Sequence, residues 1–475
     1  MINPKYEETL AHVTKCSSPS DLRITDIKVV DLAGPVTTTL IKIMTNQGLE
    51  GYGQVRESGS RVYALMLKRL LLGENPCNVD KLFRRIKQFG HHSHQGGGVS
   101  GIEIALWDLA GKAYGVPVWQ MLGGKFRDRV RVYCDTDIHG KPDGIRMGNV
   151  LKERIEKQGY TIMKMDLSAN ELLEDIPGAI TAPLGAMQEY CESYETMFRD
   201  FYGKKLYDPN LSRDEQLKLY AAKNNAMKRD DIPGPSRGIH ITEYGLDIME
   251  QYVKDVRSIV GMEIPIATDH FGPIGVGDCI RLGNRMEKYN LAWLEDMVPW
   301  MMTDQLAEIS RNVRTPLCTG EDTYLKENFL PMLEQRAVSI IHPDLMSSGG
   351  ILETKKIGDM AQDYGVPMAI HMNETPIACM AAMQVSASTE NFFAQEFHHN
   401  DYPWWSDLVV TKENPIVHDG YVTVADDPGL GILALNDEVI AEHLHYVSVG
   451  KGKNGGVWED TDEWDDWYAF DRLWL

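Results

Sequence analysis

Cysteine is scarce in this chain and poorly placed for cross-linking. The seven thiols, at 16, 77, 134, 191, 279, 318 and 379, are odd in number and scattered, and they form no CxxC pair. That usage reads as reduced thiols in a cytoplasmic protein, not as a disulfide framework. Positive charge is also short: 48 Lys and Arg against 69 Asp and Glu leave a net charge of −21. Such a balance argues against nucleic acid and an anionic membrane surface as partners. There is no run of about 18 apolar residues, so nothing in the sequence is suited to span a bilayer. The opening stretch, MINPKYEETLAHVTK, lacks the apolar centre of a signal peptide.

What is present is an ordinary globular composition, 43% apolar and 25% charged, on 475 residues, more than one typical domain. The chain is organised around residues 264–324. Three apolar runs there each end in one carboxylate: IPIATD at Asp269, LAWLE at Glu295 and TPLCTGE at Glu321, spaced 26 and 26 residues apart. Stretches of helical period lie between them, so the pattern is a βα repeat with each acid at the C-terminal end of its strand. Neighbouring parallel strands run roughly 4.8 Å apart, so three such side chains can converge on one point. Converging carboxylates repel unless a cation joins them, and an all-oxygen set suits Mg²⁺. Any one acid alone would read as a helix cap; three in register favour a metal site.

The rest of the chain fits this centre. Residues 1–20 form a polar lead-in. From 22 to 125, alternating β-branched runs around Asn46-Gln47-Gly48, followed by helical stretches ending at Gly115, predict a separate α+β domain. Strands then recur at 130, 161, 264, 291, 315, 338, 366 and 392. Beyond Glu321 the strand-end residues Asp344, His371 and Glu396 follow at gaps of 23, 27 and 25. Eight such units close a TIM-type (β/α)8 barrel. The rhythm breaks only at 168–237, which predicts an insertion after strand two, on the face where active sites are built, or a spacer. The domains expected are a cap over 1–128, a barrel over 129–415, and a C-terminal segment over 416–475 that packs back on the cap.

The cap, the IEIALWDLAGK…GVPVWQMLGG stretch (103–124), the three strand-end acids and PGLGI (428–432) together resemble the enolase superfamily, and more closely its mandelate racemase subgroup. The resemblance implies Mg²⁺ held by Asp269, Glu295 and Glu321, and removal of the proton α to a carboxylate. It implies that Lys164, matching the first lysine of the subgroup's KxK motif, neutralises the substrate carboxylate. It also implies that His371 is an acid or base held by Asp344, and that Glu396 hydrogen-bonds the developing enediolate, with His398 and His399 competing for that place.

Two departures mark this chain. Lys164-Met165-Asp166 carries an acid where the second KxK lysine belongs, so Asp166 is expected to bind a substrate hydroxyl or to hold Lys164, which would lower its pKa. Asp269-His270-Phe271 replaces a DxN pattern; alternation along a strand turns His270 away from Asp269 unless the strand breaks, which leaves His270 as an extra acid. His91, His92 and His94 lack the spacing of a structural zinc site and are expected at the cap–barrel seam, at the far end of the substrate. The function read from this set is Mg²⁺-dependent dehydration of a sugar acid to a 2-keto-3-deoxy acid in a cytoplasmic homo-oligomer. The alternatives are a cycloisomerase, epimerase or racemase using the same chemistry, and an idle ligand-binding paralogue.

Overall fold

The structure, a computed structural model, describes residues 3, 5–13, 17–33, 38–57, 59, 61–92, 98–138, 141–173, 175–181, 212–215, 217–218, 239–272, 274–445, 452 and 456–460. Most of the expected insertion, and His94 of the histidine tract, lie outside the described residues, and the side chains of His91 and His92 are likewise not described.

Strands β1 (Ile24–Leu32), β2 (Thr38–Thr45) and β3 (Glu50–Val55) form an antiparallel sheet in sequence order, with β2 and β3 joined through Asn46-Gln47-Gly48. The inner faces of β1 and β2, with Ile27, Val29, Ile41 and Ile43, pack with Ile102, Leu106 and Leu109 of the helix Val99–Tyr114. Each such side chain contributes roughly 1.5–3 kcal/mol when fully buried. The helix sits unusually close to β3 because both contact points are glycine. A Cβ on Gly101 would lie 1.9 Å from the Gln54 carbonyl oxygen, and one on Gly53 would lie 1.9 Å from the Gly101 oxygen. Gly115, at φ 72°, ends the helix in a left-handed cap.

Eight parallel strands follow: β4 (Arg129–Thr136), β5 (Met163–Asp166), β6 (Ile266–Asp269), β7 (Leu294–Glu295), β8 (Leu317–Thr319), β9 (Ile340–Ile341), β10 (Met368–Ile370) and β11 (Phe392–Phe397). They lie in sequence order and β11 pairs with β4, Glu396 opposite Tyr133, which closes the barrel. The fold is a (β/α)8 barrel with an N-terminal α+β domain. Its strands are short and buried on both faces, as a helix-covered parallel sheet requires.

The chain divides into two compact units. One comprises Met1–Cys134, Thr319–Glu334 and Ile340–Leu475, the other Asp135–Cys318 and Gln335–Ser339. Within the first, helix Val99–Tyr114 is tied to helix Ile351–Asp363 by a buried carboxylate. The Glu103 oxygens accept from the backbone N–H of Ile351 at 2.7 Å and of Leu352 at 3.1 Å, and from Trp107 Nε1 at 2.7 Å. Gly350, the residue before that helix, has φ 93°, and a Cβ there would lie 2.0 Å from Glu103 Oε2. Asp108 makes a second tie: it accepts from the N–H of Tyr52 and of Leu430, both buried, and so fixes the PGLGI segment against β3. In the second unit, helices Gly144–Gln158 and Glu243–Val260 pack together, each started by a side-chain cap, Asp143 and Thr242.

The five described cysteines, at 77, 134, 279, 318 and 379, are free thiols. Among the described residues, no helix is long and apolar enough to cross a membrane.

Candidate active site

In the second unit, β5 and β6 run in register with Asp166 opposite Asp269 and Lys164 opposite Ala267, so Lys164, Asp166 and Asp269 share a face. The fully buried Lys164 ammonium stands 2.9 Å from Asp269 Oδ2, 3.0 Å from Glu295 Oε1 and 3.4 Å from Asp135 Oδ2. Trp293 Nε1 donates to the other Glu295 oxygen at 2.7 Å. Burial alone would push the Asp269 carboxyl up, but Lys164 and His270 outweigh it and hold the group well below the usual carboxylate range. Two buried carboxylates here share one cation, which is the electrostatic demand expected of them.

The strand does break after Asp269. His270 has φ 55°, a left-handed conformation rare outside glycine, and its backbone N–H donates to Asp269 Oδ1 at 2.6 Å. The turn brings His270 Nδ1 within 2.9 Å of Asp166 Oδ1. Asp269, then Asp166, raise the imidazole well above its ordinary pKa. This corrects one part of the expectation for Asp166, that Lys164 lowers its pKa. Its carboxyl is raised, first by burial, not lowered by Lys164, and its side chain pairs with His270 while Lys164 pairs with the other acids.

In the first unit, Asp344 does two jobs. Its Oδ1 accepts from Met346 N–H at 2.5 Å and caps the short helix Leu345–Ser348; its Oδ2 lies 2.6 Å from His371 Nδ1. Asp344 thus caps a helix and contacts His371 with different oxygens. The other ring nitrogen of His371, Nε2, faces Glu321 Oε2 at 3.2 Å and Glu396 Oε2 at 3.6 Å. Burial pushes His371 down, yet Glu321 and Glu396, with help from Asp344, bring it up to about 10. Glu396 is fully buried, with His398 Nε2 at 3.2 Å and His342 Nε2 at 3.5 Å. His399 turns away into a box of Phe397, Tyr402 and Trp405, where burial drives it down to about 3.

Several residues here escaped sequence reasoning. Arg56, one residue past β3, is buried among acids: Nη1 lies 2.7 Å from Asp344 Oδ2, Nε 2.8 Å from Glu57, Nε 3.6 Å from Glu374 and Nη2 3.4 Å from Glu321. Arg56 is the main group holding Asp344 ionised against its burial. Tyr133 Oη and His342 Nε2 meet at 2.6 Å. Asp135, next to last in the first barrel strand, could have been found by its position, and His342 by its place two residues before Asp344. Arg56 had no such signal.

Comparison with known proteins agrees with this layout. Residues 213–438 match the family described as enolase C-terminal domain-like, and residues 27–123 match the mandelate racemase / muconate lactonizing enzyme N-terminal domain. A D-xylonate dehydratase of Haloferax volcanii is 31% identical over 89% of this chain and 89% of its own length. A D-gluconate/D-galactonate dehydratase of Picrophilus torridus is 26% identical over 89% and 92%. The chain belongs to the enolase superfamily. A mandelate racemase/muconate lactonizing enzyme-like protein from Rubrobacter xylanophilus superposes with a TM-score of 0.71 at 29% identity, over 90% of this chain and 98% of that one. Within the superfamily this chain is a mandelate racemase-subgroup member of the dehydratase kind, a hydro-lyase.

Proposed function

We propose that the enzyme dehydrates a sugar acid, taking the proton α to the carboxylate and expelling the β-hydroxyl to give a 2-keto-3-deoxy acid. The observation that carries this reading is the presence of two imidazole–carboxylate pairs, His371–Asp344 at 2.6 Å and His270–Asp166 at 2.9 Å. Elimination of water needs one group to accept a proton and one to donate one. Relatives described as acting on D-xylonate, D-gluconate and D-galactonate support the substrate class.

Asp269, Glu295 and Glu321 are the proposed holders of a divalent cation. The donor chemistry fits: all are carboxylates, as Mg²⁺ prefers, and Asp269 and Glu295 already gather around one positive charge, that of Lys164. Such a cation supplies fixed positive charge for the negative charge that develops on the substrate carboxylate. His371 Nε2, with Nδ1 held by Asp344, takes the α-proton. The largest support for a proton on His371 comes from Glu321; a cation beside that acid would weaken this support and so favour the imidazole as a base. His270, kept protonated by Asp269 and Asp166, delivers the proton to the departing hydroxyl.

A panel of sugar acids incubated with the enzyme and Mg²⁺ tests the proposal. The expected result is a 2-keto acid signal with at least one of D-xylonate, D-gluconate or D-galactonate. An inverted stereocentre with no keto acid would mean epimerisation, and tight binding with no turnover would mean an idle paralogue.

A further inference from the structure

The residues around Glu396 carry a second arrangement, with a mixed donor set. His371, Glu396 and His398 each present one ligand atom, all within 4.8 Å of one another. Glu396 Oε1 lies 3.2 Å from His398 Nε2, Glu396 Oε2 lies 3.6 Å from His371 Nε2, and Glu321 Oε2 lies 3.2 Å from the same Nε2. These spacings are long for charge-assisted hydrogen bonds, which settle at about 2.7–2.9 Å. They fit the edge of a tetrahedron with bonds of about 2.0–2.1 Å, which is about 3.3–3.4 Å.

The nitrogen chemistry agrees. Once an incoming ion displaces the Nε2 proton of His371, the Asp344 carboxylate at Nδ1 fixes the tautomer whose Nε2 lone pair can ligate, the carboxylate–histidine–metal relation common to zinc ligands. The carboxylate of Glu396 is buried beside His371 and His398, so a cation placed among the three offsets its desolvation. Imidazole and carboxylate together suit Zn²⁺, Co²⁺ or Ni²⁺, whereas Mg²⁺ prefers oxygen alone.

We infer that His371, Glu396 and His398 form a site for a zinc-like divalent ion, distinct from the Asp269–Glu295–Glu321 set by its imidazole donors though adjoining it at Glu321, and that its occupation blocks the enzyme. An ion on His371 Nε2 takes the lone pair that the proposed reaction needs for the α-proton. Glu321 faces the open coordination position. The site is a brake sensitive to transition metals within the catalytic centre.

Metal binding by the full-length protein tests this without relying on turnover. In excess Mg²⁺, isothermal titration with Zn²⁺ should show one ion per chain that Mg²⁺ does not displace. Co²⁺ in the same position should give the intense visible bands of a four-coordinate nitrogen–oxygen site. Glu295→Gln should leave that ion in place, while His398→Ala and His398→Gln should each lose it with unchanged far-ultraviolet circular dichroism. Asp344→Asn should weaken it about 10–100-fold. In the wild-type enzyme, Zn²⁺ added over saturating Mg²⁺ should cut turnover at least ~10-fold, with recovery on chelation and return of Mg²⁺. If Mg²⁺ displaces all bound Zn²⁺, or both His398 variants retain the ion, the site does not exist. The proposed role of the acids fails separately, through normal turnover of Glu295→Gln.

Discussion

Arg56 and His371 converge on one oxygen: Asp344 Oδ2 lies 2.7 Å from Arg56 Nη1 and 2.6 Å from His371 Nδ1. The guanidinium also reaches Ser347 Oγ at 3.0 Å, so Asp344 is held from both sides. Without Arg56, the positive partner left to the buried Asp344 among the described residues is the His371 imidazole, whose charge changes in the proposed reaction. Arg56→Met should leave the acids Asp344, Glu57, Glu321 and Glu374 short of a cation, at a cost of about 3–5 kcal/mol in stability. Arg56→Lys should restore part of the stability, because an ammonium cannot reach all these carboxylates at once. Denaturant melts give the first quantity. In the lysine variant kcat is expected to fall roughly tenfold or more, with KM changing less. Wild-type melts and kcat in Arg56→Met would show the cluster to be held by something else.

Glu295 provides the test of the proposed cation. It is completely buried, and both its oxygens are engaged, by Lys164 and by Trp293. Glu295→Gln preserves shape and leaves no cavity, so the fold should survive. Removing one charged ligand should cost at least ~100-fold in kcat and shift the Mg²⁺ requirement upward. Near-normal turnover with an unchanged Mg²⁺ dependence would mean that the acids have been misassigned.

The strand-end positions were legible because each βα unit has nearly constant length, so Asp269, Glu295, His371 and Glu396 fall at regular intervals at or beside the ends of their strands, with Asp344 three residues past β9. Glu321 shows the tolerance of that reading: β8 stops at Thr319, two residues before it. Helix Val99–Tyr114 was legible from its closing glycine. Arg56 was not legible, because 288 residues separate it from its partner Asp344 and no periodicity links a cap strand to a barrel strand. His270 was legible only as a condition, since alternation holds while a strand continues and fails at a left-handed residue. The pKa direction of Asp166 was misjudged for a related reason: proximity in sequence suggested Lys164 as the group that sets it, whereas Lys164 is drawn to Asp269 and Glu295.

Glu103 gives the fold a pH dependence. Burial raises its pKa to about 8 despite three N–H donors. In the unfolded chain a glutamate titrates near about 4.3. Between these values the folded state holds a proton that the unfolded state has lost. Stability from this residue is therefore greatest at or below the lower value and falls as pH rises toward 8. Glu103→Gln removes the titration and places an amide N–H against backbone donors, at a cost of about 1–3 kcal/mol. Thermal melts should show wild type above the variant, with a gap that narrows from pH 5 to pH 8. A gap that widens over that interval would mean that Glu103 is ionised in the folded protein.

The two imidazoles should separate the two halves of the reaction. If His371 removes the α-proton and His270 protonates the leaving hydroxyl, each loss has its own isotopic signature. His371→Asn should lose at least ~100-fold in kcat and should also stop exchange of the substrate α-proton in D₂O. His270→Asn should lose a comparable factor in keto-acid formation while still exchanging that proton, with deuterium entering recovered substrate at C2 and no inversion. Asp166→Asn keeps an oxygen for His270 Nδ1 but removes the charge that supports its proton, so it should lower kcat while sparing exchange. In the wild-type enzyme, deuterium should enter the product at C3 with one stereochemistry. The assignment reverses if His270→Asn abolishes exchange and His371→Asn retains it. Inversion at C2 in recovered wild-type substrate would place a base on each face of the substrate, and the dehydratase reading would fall with it.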